Sequence, residues 1–166
     1  MVARIVPGQA PGGDERYALE VTPVAITLTA QGPAGLYYGV QTLLAAVAAE
    51  TRVPSAAAVP CLRLVDWPSF PFRGVSVSNP TNRWGYPNDP AFPVEAFCEF
   101  VYRTMARQKL NRLVFIVPEG MQFDSHPELA APHAWSKDDL RRLVAFAAEH
   151  YIEVIPLVTV LGHASW

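Results

Sequence analysis

The sequence is short of charge, of basic clusters and of long apolar runs. Only 17% of its 166 residues are charged and the net charge is −2, against about 25% charged residues in an ordinary soluble domain. The lack of a basic cluster argues against partners such as nucleic acid or an anionic membrane surface. No stretch reaches the roughly 18 apolar residues of a membrane-spanning helix. Residues 1–15 show no charged start followed by an apolar run, so no signal peptide is visible and the compartment stays open.

Cysteine is also scarce. Cys61 and Cys98 are too far apart to suggest a metal site, and the apolar neighbours of each predict two buried thiols. Four potential metal ligands share one later segment, but their spacing is looser than that of zinc sites: Asp124, His126, Glu128 and His133. The sequence therefore predicts neither a metal nor a cofactor.

The first 66 residues predict a small α/β unit. Alternation of apolar and polar residues predicts strands at 2–6, 17–22, 25–30 and 61–65. Apolar residues that recur at three and four positions predict a helix at 33–50. The segment 66–71 is punctuated by proline, and we place a domain boundary between residues 66 and 67.

From residue 67 the pattern becomes β-α-β-α-β. Strands are predicted at 74–78, 113–117 and 152–160, and helices at 93–109 and from the N-cap Ser136 to residue 150. The run 113–117 is continuously apolar, which is typical of a strand buried on both faces of a parallel sheet. Parallel strands joined by helices are the unit of α/β folds. The pattern alone leaves open a small doubly wound sheet or the first strands of an eight-stranded barrel.

Five phrases match one protein family in the order that the family uses them. They are residues 35–43 (GLYYGVQTL), 66–74 (DWPSFPFRG), 105–111 (MARQKLN), 136–140 with 152–156 (SKDDL, IEVIP) and 161–164 (LGHA). In these phrases the chain resembles the family 20 glycoside hydrolases, which include the β-N-acetylhexosaminidases. The resemblance implies an accessory α/β domain over residues 1–66. It also implies an incomplete TIM (β/α)8 barrel, strands one to three, over residues 67–166, so the chain would be part of such an enzyme. The α-glucuronidases and the hyaluronidase-like hexosaminidases share this arrangement.

The resemblance implies hydrolysis of a glycosidic bond with help from the substrate, whose N-acetyl oxygen attacks the anomeric carbon. In the family an Asp-Glu pair after barrel strand four steers that group and supplies the general acid, which needs a raised pKa. The adjacent acids of this chain, Asp14-Glu15 and Asp138-Asp139, lie in a predicted loop and at a helix start. We therefore expect the isolated chain to be inactive.

Supporting site residues are expected at five positions. In the family a carboxylate after strand two and a histidine after strand three form a relay behind the catalytic acid, and Glu119 and His163 stand at the matching positions. Sugar contacts are expected from Arg83, Trp84 and Trp135. A guanidinium suits paired hydroxyls, and an aromatic face suits the apolar face of a sugar.

The chain departs from the family pattern where the family contacts its sugar. Ser78 stands where the family has an aspartate, and Thr81 stands where it has an arginine. Arg83, two residues further on, is the candidate to take the place of that arginine. Val114 and Ile116 occupy the positions of two histidines. The substrate is therefore left open between an N-acetylhexosaminide and another glycoside.

Two other interpretations remain. A free-standing α/β module that binds carbohydrate or a partner without catalysis would be a cooperative monomer. Part of a barrel, by contrast, would expose apolar strand edges, which favour a homo-oligomer. A flavodoxin-like nucleotide binder would need a glycine-rich phosphate loop after its first strand, which the sequence lacks.

Overall fold

The computed structural model of the chain describes residues 1–50, 59–78, 93–116, 121–130 and 134–158. The chain divides into two compact units, Met1–Pro71 and Phe72–Trp166. The predicted boundary lies slightly earlier in the same proline-rich segment. In the described ranges no helix is long and apolar enough to cross a membrane.

The first unit is a four-stranded sheet with one helix. Its strands are β1 (Val2–Ile5), β2 (Tyr17–Val21), β3 (Ile26–Ala30) and β4 (Leu62–Asp66), in the order β1-β3-β2-β4. Strand β2 pairs antiparallel with β3 and β4, and β1 pairs parallel with β3. Helix α1 (Pro33–Glu50) packs on the sheet over a core that includes Tyr17, Leu19, Leu28 and Tyr38.

The prediction of two buried thiols is wrong for Cys61, which is exposed. It comes directly before β4 and outside the hydrogen-bonded register of that strand, so the apolar residues that follow it enter the core without it. Cys98 is half-buried, and its burial raises the pKa of the thiol. Apolar neighbours in sequence therefore did not determine burial, because strand pairing selects which residues face the core.

The second unit contains a three-stranded parallel sheet with the order β5-β6-β7. Its strands are β5 (Gly74–Ser78), β6 (Arg112–Ile116) and β7 (Glu153–Leu157). Helix α2 (Val94–Phe100) lies between β5 and β6 in the chain, and helix α3 (Lys137–Glu149) lies between β6 and β7. Parallel strands alternating with helices confirm the α/β class that the sequence predicts.

The first helix of this unit changes its winding along its length. Helix α2 continues as a π-helix over Val101–Met105 and ends in a 3-10 turn over Ala106–Gln108. Lys109 then takes a left-handed conformation, with φ 58°, and ends the helical segment. The apolar periodicity of 93–109 predicts the helical segment but not this change of winding.

Only one face of β6 is buried, which corrects the prediction of a strand buried on both faces. Leu113 and Phe115 are 0% and 1% exposed, whereas Arg112, Val114 and Ile116 are half-buried. Successive side chains of a strand point to opposite faces. The sheet therefore has one face packed on the helices, where the Phe115 ring meets that of Phe97 from α2, and one open face.

Asn111 joins the beginnings of β5 and β6. Its Oδ1 accepts a hydrogen bond from the Arg73 N–H at 3.0 Å, and its own N–H donates to the Arg73 carbonyl oxygen at 2.7 Å. The Arg73 guanidinium Nε donates to the Lys109 carbonyl oxygen at 2.9 Å. At the next position, Gly74, a Cβ would come within 2.5 Å of the Arg112 carbonyl oxygen, so only glycine permits this approach. These contacts fix the register of the two strands.

The start of α3 is held by a capping box, which confirms Ser136 as the N-cap. The Asp139 N–H donates to Ser136 Oγ at 3.1 Å, and Asp139 Oδ2 accepts from the Ser136 N–H at 2.9 Å and from its hydroxyl at 2.7 Å. The hydrogen bond from the Ser136 side chain is the largest of the contacts that lower the pKa of Asp139.

Replacing Asn111 by alanine is expected to destabilise the second unit by about 1–2 kcal/mol, because the Arg73 N–H loses its acceptor at a site where Asn111 is only 4% exposed. Urea unfolding followed by circular dichroism measures the loss. Gln108→Ala, at an exposed position nearby, is the matched control. An equal loss in both variants would show that the Asn111 side chain does not hold the strands together.

The Asp139→Asn variant is expected to be less stable than the wild type by about 1 kcal/mol at neutral pH, because the capping box loses its negative charge at the N-terminus of α3 while the N-cap Ser136 stays. Because the pKa of Asp139 is lowered in the folded state, its stabilisation is complete above the ordinary carboxyl pKa and is lost as pH falls through the folded value. The difference between wild type and variant should therefore shrink below about pH 4. Asp138→Asn, in the same first turn but exposed, is the control; a gap that does not change with pH would contradict the assignment.

Candidate functional site

Strands β5, β6 and β7 end at one edge of the sheet because all three run in the same direction. In α/β folds this edge carries the residues that bind and react. Four predicted site residues follow these strand ends in the chain: Arg83 and Trp84 after β5, Glu119 after β6, and His163 after β7. All four lie outside the described residues, so their roles stay predictions.

Trp135 is the predicted site residue that the structure does describe. It is 5% exposed, and its ring stacks on Phe115 with centroids 5.6 Å apart and planes 19° apart. The Phe97 ring meets it edge-on at 5.5 Å and 72°. The structure thus uses this indole for packing on the helix-covered face of the sheet, and its predicted contact with a sugar stays a prediction.

The backbone of Trp135 makes a second set of contacts. It pairs parallel with Met121, and its carbonyl oxygen accepts a hydrogen bond from the Gln122 N–H at 3.0 Å. The Gln122 side-chain Nε2 donates to the Ala134 carbonyl oxygen at 3.2 Å. Sequence reasoning missed this pairing. The available signal was that Trp135 directly precedes the N-cap Ser136, where an apolar residue often packs to fix the path of the chain into a helix.

The open face of the sheet is apolar where the family pattern has histidines. Val114 lies in register with Ser76 and Ile155, and the next row toward the strand ends is Ser78, Ile116 and Leu157. Valine, isoleucine and leucine neither donate nor accept protons. Val114 and Ile116 therefore contribute shape at these two positions and cannot transfer protons there.

The opposite end of the open face is charged. Arg112 and Glu153 lie in register on β6 and β7, and Arg112 Nε is 3.0 Å from Glu153 Oε2. Arg112 also donates to the Asn111 carbonyl oxygen at 2.8 Å. This ion pair stands at the amino ends of the strands, away from the candidate site, and its partly exposed setting limits it to a modest contribution to stability.

The residues considered as a loose metal cluster do not assemble in the described part of the chain. His126 Nδ1 lies 3.1 Å from Glu128 Oε1 in an exposed pair. His133 lies outside the described residues. Across the described ranges no group of three or more metal-binding side chains comes together.

Residues from the first three phrases make hydrogen bonds within each unit. In the first unit the buried Tyr17 hydroxyl donates to Asp66 Oδ2 at 2.6 Å and lies 2.6 Å from Thr42 Oγ1, which ties β2 to β4 and α1. In the second unit Arg73 and Asn111 make the corresponding link between β5 and β6. These phrase residues therefore hold elements together.

Known proteins match the chain over most of its length. Residues 4–67 match the family model described as glycosyl hydrolase family 20, domain 2. The β-hexosaminidase of Akkermansia muciniphila is 28% identical over 90% of this chain and 32% of its own length. The solved structure of a family 20 β-N-acetylglucosaminidase is 30% identical with a TM-score of 0.72, and the match covers 92% of this chain and 31% of that one.

A further solved structure is a mutant β-hexosaminidase of Streptomyces plicatus in complex with the product GlcNAc. It is 27% identical with a TM-score of 0.73, over 93% of this chain and 33% of that one. The chain thus spans about a third of the length of the relatives it matches. By its sequence and by its fold, the chain is similar to the β-N-acetylhexosaminidases of glycoside hydrolase family 20.

Proposed function

We propose that the chain supplies domain 2 and the first three strands of the catalytic TIM barrel of a glycoside hydrolase that acts on N-acetylhexosaminides. The observation that carries this proposal is the similarity to family 20 enzymes over 90% or more of the chain. In this assignment residues 1–66 form the accessory domain and residues 67–166 begin the barrel. The parallel order β5-β6-β7, with α2 and α3 between successive strands in the chain, supports it because a barrel is built from such units.

The substrate class rests on the relatives. One of them is described as a β-N-acetylglucosaminidase, and another holds the product GlcNAc. In the proposed reaction the N-acetyl oxygen of the sugar attacks the anomeric carbon while a carboxylic acid protonates the leaving oxygen. That acid belongs to an Asp-Glu pair which the 166 residues do not contain after a fourth strand.

The residues of this chain would support the acid and hold the sugar. Glu119 accepts a hydrogen bond from the His163 imidazole in the proposed relay, which orients the ring toward the acid. Arg83 and Trp84 bind sugar hydroxyls and the apolar sugar face, respectively. The burial of Trp135 supports a packing role for that residue instead.

The chain alone is expected not to release nitrophenol from 4-nitrophenyl N-acetyl-β-D-glucosaminide, because the proton donor for the leaving oxygen is missing. A colorimetric assay of the purified chain tests this. Release that the double variant Glu119→Gln, His163→Ala abolishes would contradict the expectation.

A second test of the proposed function concerns the catalytic acid. In any polypeptide that carries this chain past Trp166, the proposal requires an Asp-Glu pair after a fourth strand and hydrolysis of the same substrate. A longer polypeptide with a fourth strand but without that pair would contradict the assignment to N-acetylhexosaminide hydrolysis.

We also propose that the isolated chain self-associates through β7. This strand stands at an edge of the described sheet, and Leu157 and Val158 are 37% and 59% exposed. An apolar edge strand is a template for pairing with another chain. Leu157→Lys should lower the fraction of oligomer in size-exclusion chromatography, whereas Val144→Lys, at a somewhat more exposed apolar position on α3, should not. A cooperative monomer at every concentration would instead favour the non-catalytic carbohydrate- or partner-binding module.

A further inference from the structure

A groove lies between the helices α2 and α3 of the second unit. Its volume is about 620 Å³, within the range of roughly 300–1,000 Å³ that is usual for small-molecule sites. None of its lining residues is among the site residues predicted for the hydrolase. The main lining residues recur every four positions, which places them on one face of each helical segment: Val94, Cys98 and Tyr102 on one wall, and Arg142, Phe146 and His150 on the other.

Two contacts bridge the groove, one toward each end. Near the helix starts, Arg142 Nη1 lies 2.5 Å from Glu95 Oε1. Further along, the rings of Tyr102 and His150 meet edge-on, with centroids 5.3 Å apart and planes at 72°. The two bridges are separated by seven residues on the first helix, about two turns. They therefore fix both walls and leave the Cys98 side chain between them.

The end of the groove at Tyr102 is aromatic. The His150 ring lies against that of Phe146, with centroids 4.4 Å apart and planes at 30°. Its Nδ1 donates to the Phe146 carbonyl oxygen at 2.8 Å, which fixes the direction of the ring. Tyr102 belongs to the π-helical segment Val101–Met105, and short π-helical segments are frequent at functional sites. Three rings thus gather where a flat aromatic ligand could pack.

The other end of the groove is acidic. Glu95 and Glu99 both line it, and the cation that faces them from α3, Arg142, also pairs with Asp139. Arg103 makes both of its contacts with Glu99 at Oε1, at 2.6 and 2.9 Å. The second oxygen of that carboxylate therefore keeps its capacity to accept a hydrogen bond from a ligand.

The thiol of Cys98 reports the charge balance in the middle of the groove. Burial raises the pKa of this thiol. The negative charge of Glu95 raises that pKa further, by more than the positive charge of Arg142 lowers it. Negative charge therefore outweighs positive charge at this point, which favours a cation as the ligand.

We propose that the groove between α2 and α3 binds a small organic cation that carries an aromatic ring, such as an arylalkylammonium ion. The ring packs against Phe146 and Tyr102, and the ammonium group donates hydrogen bonds to the carboxylates of Glu95 and Glu99. A cation close to an aromatic face gains further from the negative charge of that face. The inference does not rest on the proposed hydrolase function, because it uses other residues.

The first test is an NMR titration of the full chain with tryptamine, an indole ring on a short chain that ends in an ammonium group at neutral pH. The amides of Cys98 and Phe146 should shift with saturation, whereas the amides of β2 should not. Indole-3-acetate carries the same ring with a carboxylate and should bind at least about fivefold more weakly. No saturable shift with tryptamine, or equal affinity for the anion, would overturn the proposal.

The second test is protection of the thiol, for which the chain supplies its own control. Cys61 is exposed in the first unit, and Cys98 is half-buried in the groove. Tryptamine at about nine times its dissociation constant should slow alkylation of Cys98 by iodoacetamide about tenfold, because only about a tenth of the grooves stay empty. Mass spectrometry of the peptides should show an unchanged rate at Cys61. Equal slowing at both thiols, or none at Cys98, would contradict binding in the groove.

The third test separates the charge from the ring. Glu99→Gln, at an exposed side chain, should weaken tryptamine binding about fivefold, the effect of one partly exposed charge pair. Glu149→Gln makes the same change at an exposed position of α3 outside the groove lining and should bind like the wild type. Phe146→Leu should weaken binding up to about tenfold through loss of the ring. Glu99→Gln that binds as tightly as Glu149→Gln would rule out the cation site.

The remaining occupant to distinguish is a second copy of the chain. Alkylation of Cys98 is followed at increasing protein concentration without tryptamine, in the Leu157→Lys background so that pairing through β7 does not contribute. A constant rate supports an accessible groove. A rate that falls with concentration would show that another copy covers the groove, and the small-cation proposal would then be wrong.

Discussion

The exchange of hydrogen bonds between Asn111 and Arg73 is the constraint on which the second unit depends. It joins the residues directly before β5 and β6, so it fixes the pairing of Gly74 with Arg112 and of every later pair of residues along the two strands. A shift of one residue would move each side chain of β6 to the other face of the sheet. Phe115 would then leave the aromatic cluster, and Val114 and Ile116 would enter it. The polar contact at the beginning of the strands thus determines which residues pack and which face the candidate site.

The register of β6 sends its alternate residues to two different faces of the sheet. Leu113 and Phe115 pack on the helix-covered face, where Phe97 and Trp135 complete a buried cluster. The alternate residues line the open face, which carries an ion pair at its amino end and apolar rows toward the candidate site. Function on such a sheet depends on the loops beyond the strand ends, whereas the buried cluster that includes Trp135 contributes to stability.

Sequence periodicity predicted the elements well where local physics decides them. The predicted bounds of α1 and β5 agree with the structure, and so does the predicted N-cap Ser136. Periodicity failed where distant contacts decide the outcome. The apolar residues of β6 are alike in sequence, and only pairing and helix packing determine which of them are buried. For Trp135, an aromatic side chain in a predicted loop favoured a sugar contact, while its burial depends on Phe97 and Phe115, which are distant in sequence.

The residues shared with family 20 explain why the resemblance is a better guide to the fold than to the chemistry. Tyr17 ties Thr42 to Asp66, and Asn111 ties Arg73 into the strand start, so the matching residues hold elements together. Buried hydrogen bonds of this kind are costly to break, since an unmade partner costs about 1–3 kcal/mol. The open face has no such constraint, and there Val114 and Ile116 replace the histidines of the family pattern without disturbing the pairing. A scaffold held by its own polar contacts can therefore keep its fold while the surface that meets a substrate changes.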